Sequence, residues 1–75
     1  MSKRNVECRF GVVDEIIDYD KKKAYVIYPP DFFETGQRIA ERWFELGYDV
    51  YTYNTGNDLD RELAREKYQL CEEDP

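Results

Sequence analysis

The stretch Ala24–Tyr53 constrains the fold of this chain more than any other. It reads AYVIYPP, then DFFETGQRIAERWFELG, then YDVYTY. A short apolar run, a run of helical period and a second short apolar run describe a strand–helix–strand unit. The helix between them makes the two strands parallel, joined by a right-handed crossover. In the first strand of the unit Ala24, Val26 and Tyr28 point one way, and Tyr25 and Ile27 the other. Both faces are apolar, which puts this strand in the centre of its sheet. Pro29 and Pro30 end it, because neither can donate to a ladder. Asp31 is placed to cap the helix. Phe32, Gly36, Ile39, Ala40, Trp43, Phe44 and Gly47 fall near one helical face, while Glu34, Gln37, Arg38, Glu41, Arg42 and Glu45 face outward. The bulk of Trp43 and Phe44 makes them the expected centre of the core, and Gly47 the C-cap.

The flanking segments attach to this unit. In VECRFGV, residues Val6, Cys8, Phe10 and Val12 alternate with Glu7, Arg9 and Gly11, the period of a half-buried strand. Val and Ile continue beyond Gly11, so the pattern predicts one long strand from about Asn5 to Asp18, bent at the glycine. YDKKK is a turn. After the third strand, with Val50 and Thr52 on one face and Tyr51 and Tyr53 on the other, NTGND is a turn and helix start with Asn57 or Asp58 as N-cap. The last helix places Leu59, Leu63, Ala64 and Leu70 on an apolar stripe. The expected fold is α+β, one domain over residues 1–75 in ββαβα order. Its three-stranded mixed sheet, an antiparallel hairpin plus one parallel strand, packs against two helices. Residues 1–4 and 72–75 are expected to be flexible tails.

Seven Tyr, four Phe and one Trp suit a compact core built from few, large side chains. The hydrophobic fraction of 41% is too high for a disordered segment, although 37% of residues are charged. MSKRNVECRF has no apolar h-region, and no run reaches the ~20 apolar residues that span a bilayer. The expected setting is therefore the cytoplasm, with no membrane partner. Cys8 and Cys71 are expected as reduced core thiols there; a disulfide tying the first strand to the last helix is the alternative. Net charge is −6. Residues 1–30 carry six basic and five acidic residues, and residues 31–75 five basic and twelve acidic. The acidity belongs to the second half, where it repels phosphate backbones and favours a basic partner.

The chain has no histidine, which removes the commonest general base and metal ligand. Neither GxGxxG nor GxxxxGK[ST] is present. No catalytic residue, metal site or cofactor is expected. A small Mg-dependent enzyme or ligand site would use Asp31 and Asp58 beyond the carboxyl ends of the parallel strands, but helix capping accounts for both. A nucleic-acid-binding module would use Tyr25, Tyr51 and Tyr53 as a stacking platform if both helices cover the other sheet face. The overall acidity opposes direct nucleic-acid binding. A protein-binding module would use the carboxylates of the last third with the exposed tyrosines. Those candidate partner-binding residues are Asp49, Tyr51, Tyr53, Asp58, Asp60, Glu62, Glu66, Glu72, Glu73 and Asp74.

In general character, as a very short, acidic, aromatic-rich and self-contained chain, it resembles the small inhibitors that bacteriophages direct at host nucleases, including anti-CRISPR and anti-restriction proteins. The resemblance carries no motif, so it transfers no residue role. It implies a non-enzymatic inhibitor or regulator of a basic, nucleic-acid-handling protein, acting by steric and electrostatic occlusion. A homodimer through an unpaired sheet edge is a further expectation.

Overall fold

The computed structural model describes residues 5–72. Of the expected tails 1–4 and 72–75, residues 1–4 and 73–75 lie outside that range, and Glu72 is the last residue of the final helix. Described elements follow in the order β1 (Val6–Arg9), β2 (Asp14–Asp18), β3 (Lys23–Tyr28), α1 (Phe33–Glu45), β4 (Asp49–Asn54) and α2 (Asp58–Glu72). The fold is a small α+β domain with a mixed sheet and two helices. The sheet has four strands rather than three, in spatial order β1-β2-β3-β4.

The extra strand comes from the segment expected to be one long strand. It folds instead as a hairpin, with Val6 opposite Asp18 and Arg9 opposite Glu15. The connection is Phe10–Val13, tied by a hydrogen bond from the Gly11 N–H to Asp14 Oδ1 at 3.0 Å. Three of those four loop residues are apolar, so the alternation runs through the turn without a break. β2 pairs antiparallel with β3 through the Tyr19–Lys22 turn. There the Lys21 N–H bonds to Asp18 Oδ1, and Lys22 takes a positive φ of 55°. β3 pairs parallel with β4, Tyr25 beside Tyr51 and Ile27 beside Tyr53. As expected, β3 is central and buried on both faces.

The two helices cover opposite faces. On one, Ile16, Tyr25, Ile27 and Tyr53 pack with Ala64 of α2, joined at the margin by Val6, Cys8, Tyr68, Leu70 and Cys71. On the other, Val13, Val26 and Tyr28 pack with Ala40 of α1, with Ile39 and Val50 beside them. Trp43 and Phe44 are not the core centre. Phe44 is 72% exposed, and the fully buried large side chains are Ile16, Ile17, Val26 and Ile27 of the sheet. A sheet covered on both sides puts its centre in its own strands. Trp43 is half-buried and donates its indole N–H to Glu15 Oε1 at 2.9 Å. It also packs edge-on to Tyr19 and Tyr48.

Asp31 does not cap α1. Pro30 starts a short 3₁₀ turn, Pro30–Phe32, and Phe32 stands at the cap position without a side-chain bond. Gly47 ends α1 with φ of 92°, the left-handed conformation foreseen for it. Asn57 caps α2, its Oδ1 accepting from the Asp60 N–H at 3.0 Å.

Cys8 and Cys71 are bonded to each other, a link across 63 positions that joins β1 to the end of α2. They are not the reduced thiols expected from the sequence. α2 lays Cys71 over Cys8 because Ala64, Tyr68 and Cys71 share one helical face. No helix among the described residues is long and apolar enough to cross a membrane.

A candidate interaction surface on α2 and the edge of the sheet

Carboxylates fall into two groups by what they touch. The first is consumed internally. Glu7 accepts from Arg9 Nε and from the Tyr19 hydroxyl. Those two bonds, Arg9 first, hold the Glu7 carboxyl below its usual range, and the bond to Glu7 pushes the Tyr19 phenol up. Asp14 accepts from the Gly11 N–H and the Tyr68 hydroxyl. Burial, reinforced by that bond, raises the Tyr68 phenol well above its ordinary value. Glu15 holds Trp43 and Asp18 holds the Lys21 N–H. Asp60 accepts from the Asn54 N–H at 3.0 Å.

The second group has no hydrogen bond or ion pair among the described residues. It includes Glu62, Glu66 and Glu72 of α2 and Asp49 at the start of β4, all exposed. Asp58 is exposed too and pairs with Arg61 one turn on. Of the expected partner-binding residues, the structure therefore brings Asp58, Glu62 and Glu66 together on the solvent side of α2. Asp60 is turned inward to a structural bond. Tyr53 is a correction: it is 9% exposed, packed in the core under α2, and offers no surface. Tyr51 is 41% exposed and stacks on Tyr25, ring centroids 5.4 Å apart. Lys67 Nζ sits 4.8 Å from the Tyr25 ring and Lys23 Nζ 5.9 Å from that of Tyr51. Glu73 and Asp74 lie outside the described residues.

The tyrosine-bearing sheet face is not an open platform. α2 crosses it, and Tyr25 and Tyr53 are buried beneath that helix. At the carboxyl ends of β3 and β4, Asp31 is exposed and Asp58 is held by Arg61. Among the described residues no three acidic or sulfur ligands cluster as a metal site would require. One hollow of about 200 Å³ lies between Arg9, Glu15, Ile39, Arg42, Trp43 and Leu46. That is smaller than the ~300–1,000 Å³ of ordinary ligand sites.

What the sequence reading missed is apolar. Leu59 and Leu63 belong to the expected inner stripe of α2, yet they are 75% and 44% exposed. The inward face is Ala64, Tyr68 and Cys71 with Leu70 at its margin, rotated away from Leu59 and Leu63. Cys8, Asp14 and the Asn54 amide set that rotation by holding Cys71, Tyr68 and Asp60. Phe33 and Phe44 are exposed on one flank of α1. Six of the twelve residues from Phe33 to Phe44 are polar or charged, so these two rings stand among hydrophilic neighbours. A warning of the exposure lay in Phe33, which falls outside the face assigned to the core.

No protein-family model, no curated protein and no solved structure matches this chain.

Proposed function

We propose that the chain is a non-enzymatic protein-interaction module that docks on a basic partner through the outer face of α2. The observation that carries this reading is the pairing of Leu59 and Leu63, one turn apart and exposed, with the exposed carboxylates of Glu62 and Glu66, which have no partner among the described residues. Exposed leucines on a regular helix are anchors for an apolar groove. Carboxylates beside them select a groove with a basic rim and speed encounter with it. Two adjacent exposed leucines form a small apolar ridge that a partner's groove would cover. The likeness to phage-directed inhibitors of nucleases supplies the partner class, a protein whose basic surface handles nucleic acid. Occupying that surface with carboxylates in the place of phosphates is the inhibitory act.

Affinity capture with the tagged chain, read by mass spectrometry at low and raised salt, tests this. The expected result is a basic protein retained by the wild type, retained less as salt rises. It should be lost both with Leu59→Asp plus Leu63→Asp and with Glu62→Lys plus Glu66→Lys. A partner retained equally by both double variants would sink the α2 surface. Salt-insensitive retention would sink the electrostatic part of the reading.

A further inference from the structure

β4 ends the sheet, and its outer edge has a defined hydrogen-bonding pattern. The Asp49 N–H donates to the Lys22 carbonyl and the Thr55 N–H to the Tyr28 carbonyl, both at 2.9 Å. Amides alternate along a strand, so Asp49, Tyr51, Tyr53 and Thr55 turn to β3, and Val50, Thr52 and Asn54 turn outward. The Asn54 N–H is already taken by Asp60. The open edge is therefore two residues long, Val50 and Thr52, each with an N–H and a C=O facing away from the sheet.

We propose that this edge pairs antiparallel with the same edge of a second copy, on a two-fold axis through Tyr51. With only two outward residues, one register uses every free group: Val50 and Thr52 of one chain exchange hydrogen bonds with Thr52 and Val50 of the other. Tyr51 then faces its own copy as the non-hydrogen-bonded pair, where side chains come closest. The register also suits the charges. Asp49, the only charged residue of β4, falls opposite Tyr53, so no like charges meet across the strands. Nothing between Val50 and Tyr53 blunts the edge; there is no Lys, Pro or bulge.

α1 supplies the second half of the interface. It packs on β3 and β4. Its flank bearing Ile39, Arg42 and Leu46 borders the hollow toward β1 and β2. The opposite flank, Phe33, Gln37 and Phe44, consequently faces the open edge. Strands about 4.8 Å apart would bring the two copies of α1 to about 10 Å, the spacing of packed helices. The exposed parts of Phe33, Phe44 and Tyr51 amount to about 330 Å² per copy if each whole ring side chain is worth roughly 200 Å². Both copies, with the strand backbones and Val50, Thr52 and Gln37, reach about 1,000 Å², where specific interfaces begin. The dimer leaves Glu62 and Glu66 of each copy pointing outward, so it stands or falls apart from the partner surface on α2.

Light scattering of the full chain, over a wide concentration range, reads the mass directly. The expected mass is twice the 9.1 kDa of one chain. Tyr51→Lys places two cations on the axis and should return the protein to monomer, with its circular dichroism unchanged. Thr52→Pro removes one outward N–H without touching the ladder to β3, and should do the same. Tyr51→Cys should cross-link two chains under mild oxidation, because the paired Cα atoms stand about 4.5 Å apart, within disulfide reach. A monomer at every concentration overturns the proposal. So does a dimer that survives both Tyr51→Lys and Thr52→Pro, or one that Tyr51→Cys cannot cross-link.

Discussion

Gly36 is where α1 touches the sheet. A Cβ added there would lie 2.7 Å from Cδ2 and 2.8 Å from Cγ of Tyr28. Tyr28 has little room to yield. It is buried, and Phe33 packs edge-on against its ring with centroids 5.7 Å apart. Two effects oppose each other in Gly36→Ala. Helix propensity favours Ala by about 1 kcal/mol. Forcing a methyl group into a packed contact costs about 1–3 kcal/mol and often displaces the backbone as well. The contact wins, because both close atoms belong to the ring base rather than its free end. Gly36→Ala is expected to be less stable by about 1–2 kcal/mol in urea or guanidinium unfolding. A variant as stable as the wild type would mean that α1 lifts away from β3 at little cost. The same position shows what a single residue reveals in sequence. Gly36 falls on the inner face by helical period alone, but the reason for glycine there, the Tyr28 ring, is visible only once β3 and α1 are packed.

At the scale of elements, α2 is held differently from α1. Among its residues only Ala64 is fully buried. Its attachment rests on separate links along its length: Asp60 to the Asn54 amide, Lys67 over Tyr25, Tyr68 to Asp14, and Cys71 to Cys8. The disulfide closes a loop of more than sixty residues, and on chain-entropy grounds it contributes about 4 kcal/mol. Reduction, or Cys71→Ser, should lower stability by about that amount. Amide exchange near Leu70 should quicken before that of β3, because the last turns of α2 lose their only covalent anchor. Equal protection of α2 and β3 after reduction would show that the other three links suffice. These links also explain which elements were legible. The strand–helix–strand unit and the Tyr19–Lys22 turn announce themselves through Pro29, Pro30, Gly47 and three successive lysines, which act locally. The β1–β2 hairpin does not, because Phe10, Val12 and Val13 keep a strand-like pattern through the loop. The rotation of α2 was hidden for a different reason. It depends on Cys8 and Asp14, more than fifty residues away, and without them Leu59 and Leu63 look like the inner stripe. The candidate surface inherits that error: its carboxylates could be read from charge alone, its leucines could not.

For the molecule as a whole, the response to alkali joins both faces of the sheet. Tyr25 and Tyr53 are shifted upward chiefly by burial, and Tyr68 by burial and its bond to Asp14. Tyr19, on the α1 side, is shifted upward by its bond to Glu7. In each case the folded chain holds the phenolic proton more tightly than the unfolded chain, whose tyrosines titrate near 10.0. The sign follows directly. Below pH 10 both states are protonated and the contribution is fully present. Above it the unfolded state loses protons first, so stability falls as pH rises through the folded values. Growing negative charge on an already acidic chain pushes the same way, because self-repulsion favours expansion. The two causes separate in Tyr68→Phe. Phenylalanine cannot ionise, so the variant should lose less stability as pH rises above about 10 than the wild type, although it starts lower for want of the Asp14 bond. Denaturant unfolding at a series of alkaline pH values measures both slopes. If the slopes coincide, alkaline unfolding is a matter of net charge and the proton on Tyr68 takes no part in it. A shallower slope for Tyr68→Phe identifies the contact between α2 and the start of β2 as one that alkali opens.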